Sequence, residues 1–263
     1  METINFEMNE EGVATLTLNR PQRKNAIDAV MREELKEVVF ALPQNRDLRA
    51  LIITGAGGSF SAGGDISVMG QATLAPEDGR NRMRHDYLSW IEALLRLEVP
   101  VIAAVDGAAA GAGFSLAMAA DFVIATPRAW FNMSFIKVGL VPDVGAFYTL
   151  PRIVGVQRAK ELMLSARDVE GPEALQLGLV MELHEPEALM ARAQALAASF
   201  VNASPTAVSL IKRTFAGWGG ELASSLENEA NAQALAMGTQ EHKTAVNRFL
   251  NKEPLPFQWP VNE

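Results

Sequence analysis

Phe60-Ser-Ala-Gly-Gly-Asp65 and Asp106-Gly-Ala-Ala-Ala-Gly-Ala-Gly113 are the stretches of this 263-residue chain that bear most directly on chemistry. Small residues at Ser61, Ala62, Gly63 and Gly64 let a ligand come within contact distance of the backbone, whose amide N–H groups can point at an anion or a polarised carbonyl. The second segment opens a predicted helix, where unpaired N–H groups carry a partial positive charge of about 0.5. Ala112 or a neighbour could donate there to a developing oxyanion. Each segment also has a plain structural reading: a strand-to-helix turn capped by Asp65, and a small-residue helix packed closely on its surroundings. Two such loops, each following a buried strand, point toward a two-pronged oxyanion hole. Neither carries the spacing of a dinucleotide fingerprint or the Lys-Ser/Thr of a phosphate-binding loop, so nucleotide hydrolysis is not indicated.

The remaining side chains exclude several alternatives. With no cysteine there is no disulfide, thiol nucleophile or thiolate metal site. His85, His184 and His242 are too scattered to form a ligand pair, and no metal site is expected. A net charge of −8 argues against a nucleic-acid partner, although local Lys and Arg residues and backbone amides could still hold a phosphorylated ligand. The start, METINFEMNEEG, does not read as a signal peptide. The apolar stretch Val99–Ala120 is broken by Pro100, Asp106 and three glycines, so it reads as buried core and not as a membrane span. A cytoplasmic protein is the expectation.

The elements that must position the two loops follow from pattern. Ile4–Met8 and Val13–Leu18 read as a strand pair around Gly12, and Asp28 caps a helix running to about Leu42. Leu48–Thr54 and Pro100–Val105 are buried strands, His85–Leu97 an amphipathic helix, and Gly107–Ala120 a small-residue helix. Phe122–Ala125, Ala129–Asn132 and Leu179–Leu183 read as strands, and Ala146–Ile153 and Gln157–Ser165 as helices. From Glu187 onward helices dominate, with a boundary near Asn202-Ala-Ser-Pro205 that divides residues 1–201 from a helical region, 202–263. Phe215 and Trp218 read there as core or interface.

Phe60-Ser-Ala-Gly-Gly-Asp-Ile66, Val101–Gly113, Gly139-Leu-Val-Pro-Asp143 and Leu18-Asn-Arg-Pro-Gln-Arg-Lys-Asn-Ala26 together resemble the signature segments of the enoyl-CoA hydratase/isomerase (crotonase) superfamily. The resemblance covers essentially the whole chain. It implies a mixed α/β fold, a spiral of repeated ββα units with a C-terminal helical trimerisation region, assembled as a homotrimer or dimer of trimers. It implies an acyl-CoA thioester as substrate, with CoA belonging to the substrate and no separate cofactor. It also implies that the Ala62 and Ala112 N–H groups grip the thioester oxygen. The CoA moiety is expected near Lys24, Ala26, Ala62, Gly63, Gly64, Asp65 and Ile66, with Arg23 as a further phosphate contact and Lys243 or Phe249 reaching a neighbouring subunit's ligand.

Hydratases of this family carry two glutamates, and by alignment those positions fall on Ser115 and Phe135. Neither can act as a carboxylate base. Asp143 supplies a carboxylate just beyond, in a pattern, Gly139-Leu-Val-Pro-Asp143…Leu150-Pro-Arg-Ile-Val-Gly155, that resembles the isomerase of phenylacetate degradation and related enoyl-CoA isomerases. The resemblance implies that Asp143 is the base, its pKa raised by apolar neighbours such as Phe135. Helix capping is the structural alternative for Asp143. Other readings are a hydratase, a non-catalytic acyl-CoA binder, and a hydrolytic dehalogenase, which the absence of a histidine at Glu92 disfavours; Glu92 is a minor auxiliary acid/base candidate.

Overall fold

The computed structural model describes residues 1–69, 75–217 and 221–261; Trp218 lies outside them. Gly12 turns the chain with φ +84° where a Cβ would sit 2.0 Å from the Asp47 carbonyl oxygen, and this sets strands β1 (Ile4–Met8) and β2 (Val13–Leu18) antiparallel. β2 then pairs in parallel with β3 (Ala50–Gly55), and β3 with β4 (Val101–Val105). Every parallel neighbour needs a crossover, and the first is helix α1 (Ala29–Ala41), whose Asp28 side chain accepts from the Met31 N–H at 2.9 Å.

Side-chain alternation sends the two faces of these strands to different cores. Leu51, Ile53, Val101, Ala103 and Val105 join the large core under α1. Ala50, Ile52, Ile102 and Ala104 face Leu189, Ala193 and Leu196, which lie on a later helix.

The chain continues through α2 (Ile66–Met69), α3 (Pro76–Arg82), a π-helical turn over Met83–Leu88 and α4 (Ser89–Leu95). The expected helix His85–Leu97 is thus the latter part of a longer helical run with a π-turn inside it.

A second correction concerns Gly107–Ala120, expected as one helix. Ala108–Ala110 is a strand, β5, and only Ala112–Ala117 is helical, α5. β6 (Phe122–Ala125) extends the large sheet, and β7 (Trp130–Asn132) pairs with β5 in parallel. The three alanines lack strand preference of their own; pairing with β7 on one side and Ser61 on the other overrides it.

Helix α6 (Ala146–Ser165) is interrupted at Gly155, which separates the two helical segments read from the sequence. β8 (Val169–Glu170), not anticipated, completes the three-stranded sheet β5-β7-β8, and α7 (Gly171–Gln176) follows. The expected strand Leu179–Leu183 shrinks to β9 (Glu182–Leu183), which closes the order β1-β2-β3-β4-β6-β9.

Helices α8 (Pro186–Ser199), α9 (Pro205–Ala216), α10 (Leu222–Met237) and α11 (Gln240–Leu250) complete the chain. α9 is tied to the body by Lys212, whose Nζ donates to Asp121 at 2.5 Å and to the Val99 carbonyl at 2.9 Å. The tail returns, with Trp259 against Phe122 and Phe200 and with Arg192 donating to the Pro260 carbonyl at 2.8 Å. Among the described residues no helix is long and apolar enough to cross a membrane.

Candidate active site

The loop after β3 and the turn between β5 and α5 meet backbone to backbone. Ser61 donates its N–H to the Ala108 carbonyl at 2.8 Å and accepts from the Ala110 N–H at 2.9 Å. Gly63, at φ +88°, has no room for a side chain: a Cβ would lie 2.5 Å from the Ala110 oxygen and 3.2 Å from the Ala112 nitrogen. Gly113 is equally confined, its Cβ position 2.5 Å from the Ser61 oxygen. The glycines therefore serve the contact between loops as much as any ligand.

A third piece of backbone holds the first loop from behind. Lys24 and Asn25 both adopt left-handed conformations, φ 48° and 55°. The fully buried Asn25 side chain donates to the Ala56 and Ser59 carbonyls at 2.8 and 2.7 Å and accepts from the Arg20 N–H at 2.8 Å. Arg20 in turn pairs with Asp65 at 3.2 Å and Asp28 at 3.1 Å. Replacing Asn25 with Ala would strand three partly buried backbone groups. We expect a loss of about 2–4 kcal/mol of stability, read as a fall in the denaturation midpoint.

These constraints decide which amides are available. The Ala62 N–H donates to the Lys24 carbonyl at 2.8 Å, so it is not free to grip a ligand, contrary to the expectation from the sequence. The Gly63 N–H donates to the Ser61 hydroxyl at 3.1 Å. Gly64 sits between the Ile27 N–H donated to the Gly63 carbonyl (2.7 Å) and the Asp65 N–H donated to the Ile27 carbonyl (3.0 Å). Its own N–H has no acceptor among the described residues. Ala112 opens α5, so its N–H has no acceptor within that helix. Gly64 and Ala112 both line one cleft of about 470 Å³. Ser61, Ala62, Gly63 and Asp65 all commit their N–H groups and Gly64 alone of the five does not, a pattern set by distant partners such as the Lys24 carbonyl and not legible in the sequence.

Asp143 lines the same cleft. It precedes α6 in a turn where Gly139 and Gly145 have φ of 72° and 80°. Val144, wholly buried, also adopts a left-handed φ of 51°. For a β-branched residue that conformation costs about 1–3 kcal/mol and persists only where packing over-determines it. The buried Val144 side chain thus anchors the turn. Burial pushes the Asp143 carboxyl up from 3.8 to about 6, and its Oδ1 has no hydrogen-bond partner among the described residues.

Of the other residues expected at the site, Arg23, Ala26 and the largely exposed Ile66 line the cleft; Lys137, not anticipated, lines it as well. Lys24 contributes its carbonyl and keeps its side chain exposed, outside the cleft lining. Asp65 is committed to structure, its carboxyl held below the usual range by the Ser67 hydroxyl and then by Arg20. Ser115 is buried and donates to the Gly111 carbonyl at 3.3 Å, away from the cleft. Phe135 forms part of the cleft wall. Glu92 lies outside it, exposed and paired with Arg96 at 3.0 Å. Lys243 and Phe249 are on α11, also outside this cleft. Among the described residues no group of three His, Asp or Glu side chains could hold a metal.

A family model described as enoyl-CoA hydratase/isomerase matches residues 8–260. The chain belongs to the enoyl-CoA hydratase/isomerase family. Its relatives include the 1,2-epoxyphenylacetyl-CoA isomerase of Escherichia coli, 36% identical over 251 residues and covering 94% of this chain and 95% of the relative. The short-chain-enoyl-CoA hydratase of Clostridium acetobutylicum is 34% identical over 258 residues, covering 97% of this chain and 98% of the relative. Among solved structures, an enoyl-CoA hydratase/isomerase from Cupriavidus metallidurans superposes with a TM-score of 0.95 at 42% identity, covering 100% of this chain and 99% of that one. The mixed α/β fold is therefore the crotonase fold of this family, with its C-terminal helices present.

Proposed function

We propose that the chain is an enoyl-CoA isomerase in which Asp143 carries the proton and the Gly64 and Ala112 N–H groups hold the thioester oxygen. The observation that carries this reading is the half-buried Asp143 carboxyl, its Oδ1 buried without a partner among the described residues and its pKa shifted to about 6, in the cleft that Gly64 and Ala112 also line. Such donors stabilise charge that develops on the oxygen as the enolate forms. The Asp143 carboxylate takes a proton from C2 of a 3-enoyl thioester, and the electron pair delocalises onto the thioester oxygen. The same carboxylic acid then returns the proton to C4 while the double bond settles between C2 and C3. No atom is gained or lost, and no separate cofactor is required.

Phe135 supports isomerisation over hydration, because a phenyl ring stands in the wall where a second hydratase carboxylate would be needed to activate water. The isomerase name of the Escherichia coli relative agrees with this reading; the hydratase name of the Clostridium relative makes hydration the alternative to test. With a 3-enoyl-CoA, conjugated absorbance should grow. With crotonyl-CoA it should persist, and its rapid loss would replace isomerase by hydratase.

Asp143 must be ionised to accept the first proton. We expect kcat to rise with pH through about 6 and then level off. A rising limb centred near 4 would mean that burial does not tune the acid that matters.

Arg23 and Lys137, both lining the cleft, are the basic residues placed to meet the CoA phosphates in this reading. Assembly as a homotrimer or dimer of trimers belongs to the same reading. It is supported by exposed apolar residues on the last three helices, Ile211, Leu222, Leu235 and Phe249 among them, and light scattering would measure it.

A further inference from the structure

The lining of the cleft includes features that the proton-transfer chemistry does not require. Three aromatic residues, Tyr87, Trp90 and Phe135, are among them. Tyr87 lies on the π-helical turn Met83–Leu88, an irregularity that recurs at functional sites. Trp90, on α4, is tied to the same turn through its Nε1, which donates to the Asp86 carbonyl at 3.1 Å.

Behind Tyr87 stands Arg32 of α1, only 6% exposed. Its guanidinium carbon is 4.8 Å from the centre of the Tyr87 ring, and its Nη1 donates to the Tyr87 hydroxyl at 3.0 Å. Its charge is poorly matched otherwise. The Asp86 and Glu33 carboxylates approach no closer than 3.7 Å, and the buried Nε has no hydrogen-bond partner among the described residues. Burying an incompletely paired guanidinium is costly, and such a group calls for an explanation beyond general stability. Here the ring face and the hydroxyl of Tyr87 are both engaged by one rigid planar cation, which fixes the ring against the cleft.

We infer that Tyr87 is a specificity-determining residue that selects planar, unsaturated or aromatic acyl groups, and that Arg32 is the positioning residue that holds its ring in place. The inference rests on the acyl-CoA reading above but not on the role of Asp143. A planar acyl group meets a fixed aromatic wall with offset or edge-to-face contact, whereas a saturated ring of the same size gains burial alone. The difference is worth between about threefold and tenfold in affinity.

Two unreactive thioesters of nearly equal size make the test: phenylacetyl-CoA and cyclohexylacetyl-CoA, titrated calorimetrically into the full chain. The wild type should favour the phenyl thioester by about threefold to tenfold. Tyr87→Leu should bring that ratio toward unity, and Tyr87→Phe should keep most of it. Arg32→Met should reduce the ratio although Arg32 does not line the cleft, and Arg32→Lys should restore part of it. A purely structural role for Arg32 would instead weaken both thioesters equally. Equal affinities in the wild type, or an unchanged ratio in Tyr87→Leu, would overturn the inference, and Tyr87→Leu carries the test alone should Arg32→Met not fold. Because neither probe undergoes isomerisation, a preserved preference without isomerase activity would count only against the Asp143 mechanism. Isomerisation without a preference would count only against Tyr87.

Discussion

Replacing Asp143 with Asn is expected to lower turnover of a 3-enoyl-CoA by about 10²–10⁴-fold, the usual contribution of a positioned acid or base, with little change in affinity for the thioester. Asn keeps the volume and the polarity at the end of the turn but can neither take nor return a proton. The same substitution should make the protein more stable at alkaline pH. The fold raises the Asp143 pKa from 3.8 to about 6, so the folded state disfavours the ionised form. Stability from this group is fully present below about 3.8 and is lost as pH rises through about 6. The gap corresponds to roughly 3 kcal/mol at most, because partial access to solvent reduces it. Thermal melts of the two proteins should therefore coincide near pH 4 and diverge by pH 8, with the Asn variant melting higher. Undiminished turnover in that variant would remove Asp143 from the mechanism.

Replacing Gly63 with Ala is expected to cost both activity and stability, for a reason unrelated to any side-chain chemistry. At φ +88° an added methyl is strained, and it would sit 2.5 Å from the Ala110 oxygen. One loop must then move away from the other, which pulls the Gly64 and Ala112 amides out of register. Displacement of reacting groups by about 1 Å costs on the order of 100-fold, so kcat/KM should fall at least that far. Gly79→Ala is the matched control. It lies in α3 with nothing within 4 Å of the added carbon, and it should leave activity unchanged while stabilising by about 0.5–1 kcal/mol. If Gly63→Ala behaved like Gly79→Ala, the contact between the two loops would not be what orders the site.

Much of this arrangement could be read from residue types. Gly12, Asp28 and the apolar runs at β3 and β4 specify their elements locally, so these elements follow from short-range signals, whereas the parallel order β2-β3-β4 is set by pairing between segments distant in the chain. The two glycine-rich loops were legible because close backbone approach demands glycine wherever it occurs. What could not be read were features set by distant partners. Ala108–Ala110 becomes a strand only because Ser61 and Trp130–Asn132 flank it. Ala62 loses its availability to a carbonyl 38 positions earlier, that of Lys24, and Gly64 becomes the open amide in consequence. The π-turn at Met83–Leu88 and the buried Arg32 behind it left no periodic mark either, since helical spacing counts turns and not their width.

The contacts that orient the cleft are all long in sequence: Lys24 to Ala62, Ser61 to Ala108 and Ala110, and Gly111 to Asn132. Each joins one βα unit to another, and none can form within a single unit. Closing such loops is slow in folding because their entropy is lost before the contacts repay it. The cleft geometry is therefore expected to form only once residues from about 20 to 132 have assembled. A nascent chain halted before β7 would carry both glycine loops and still hold no competent pocket.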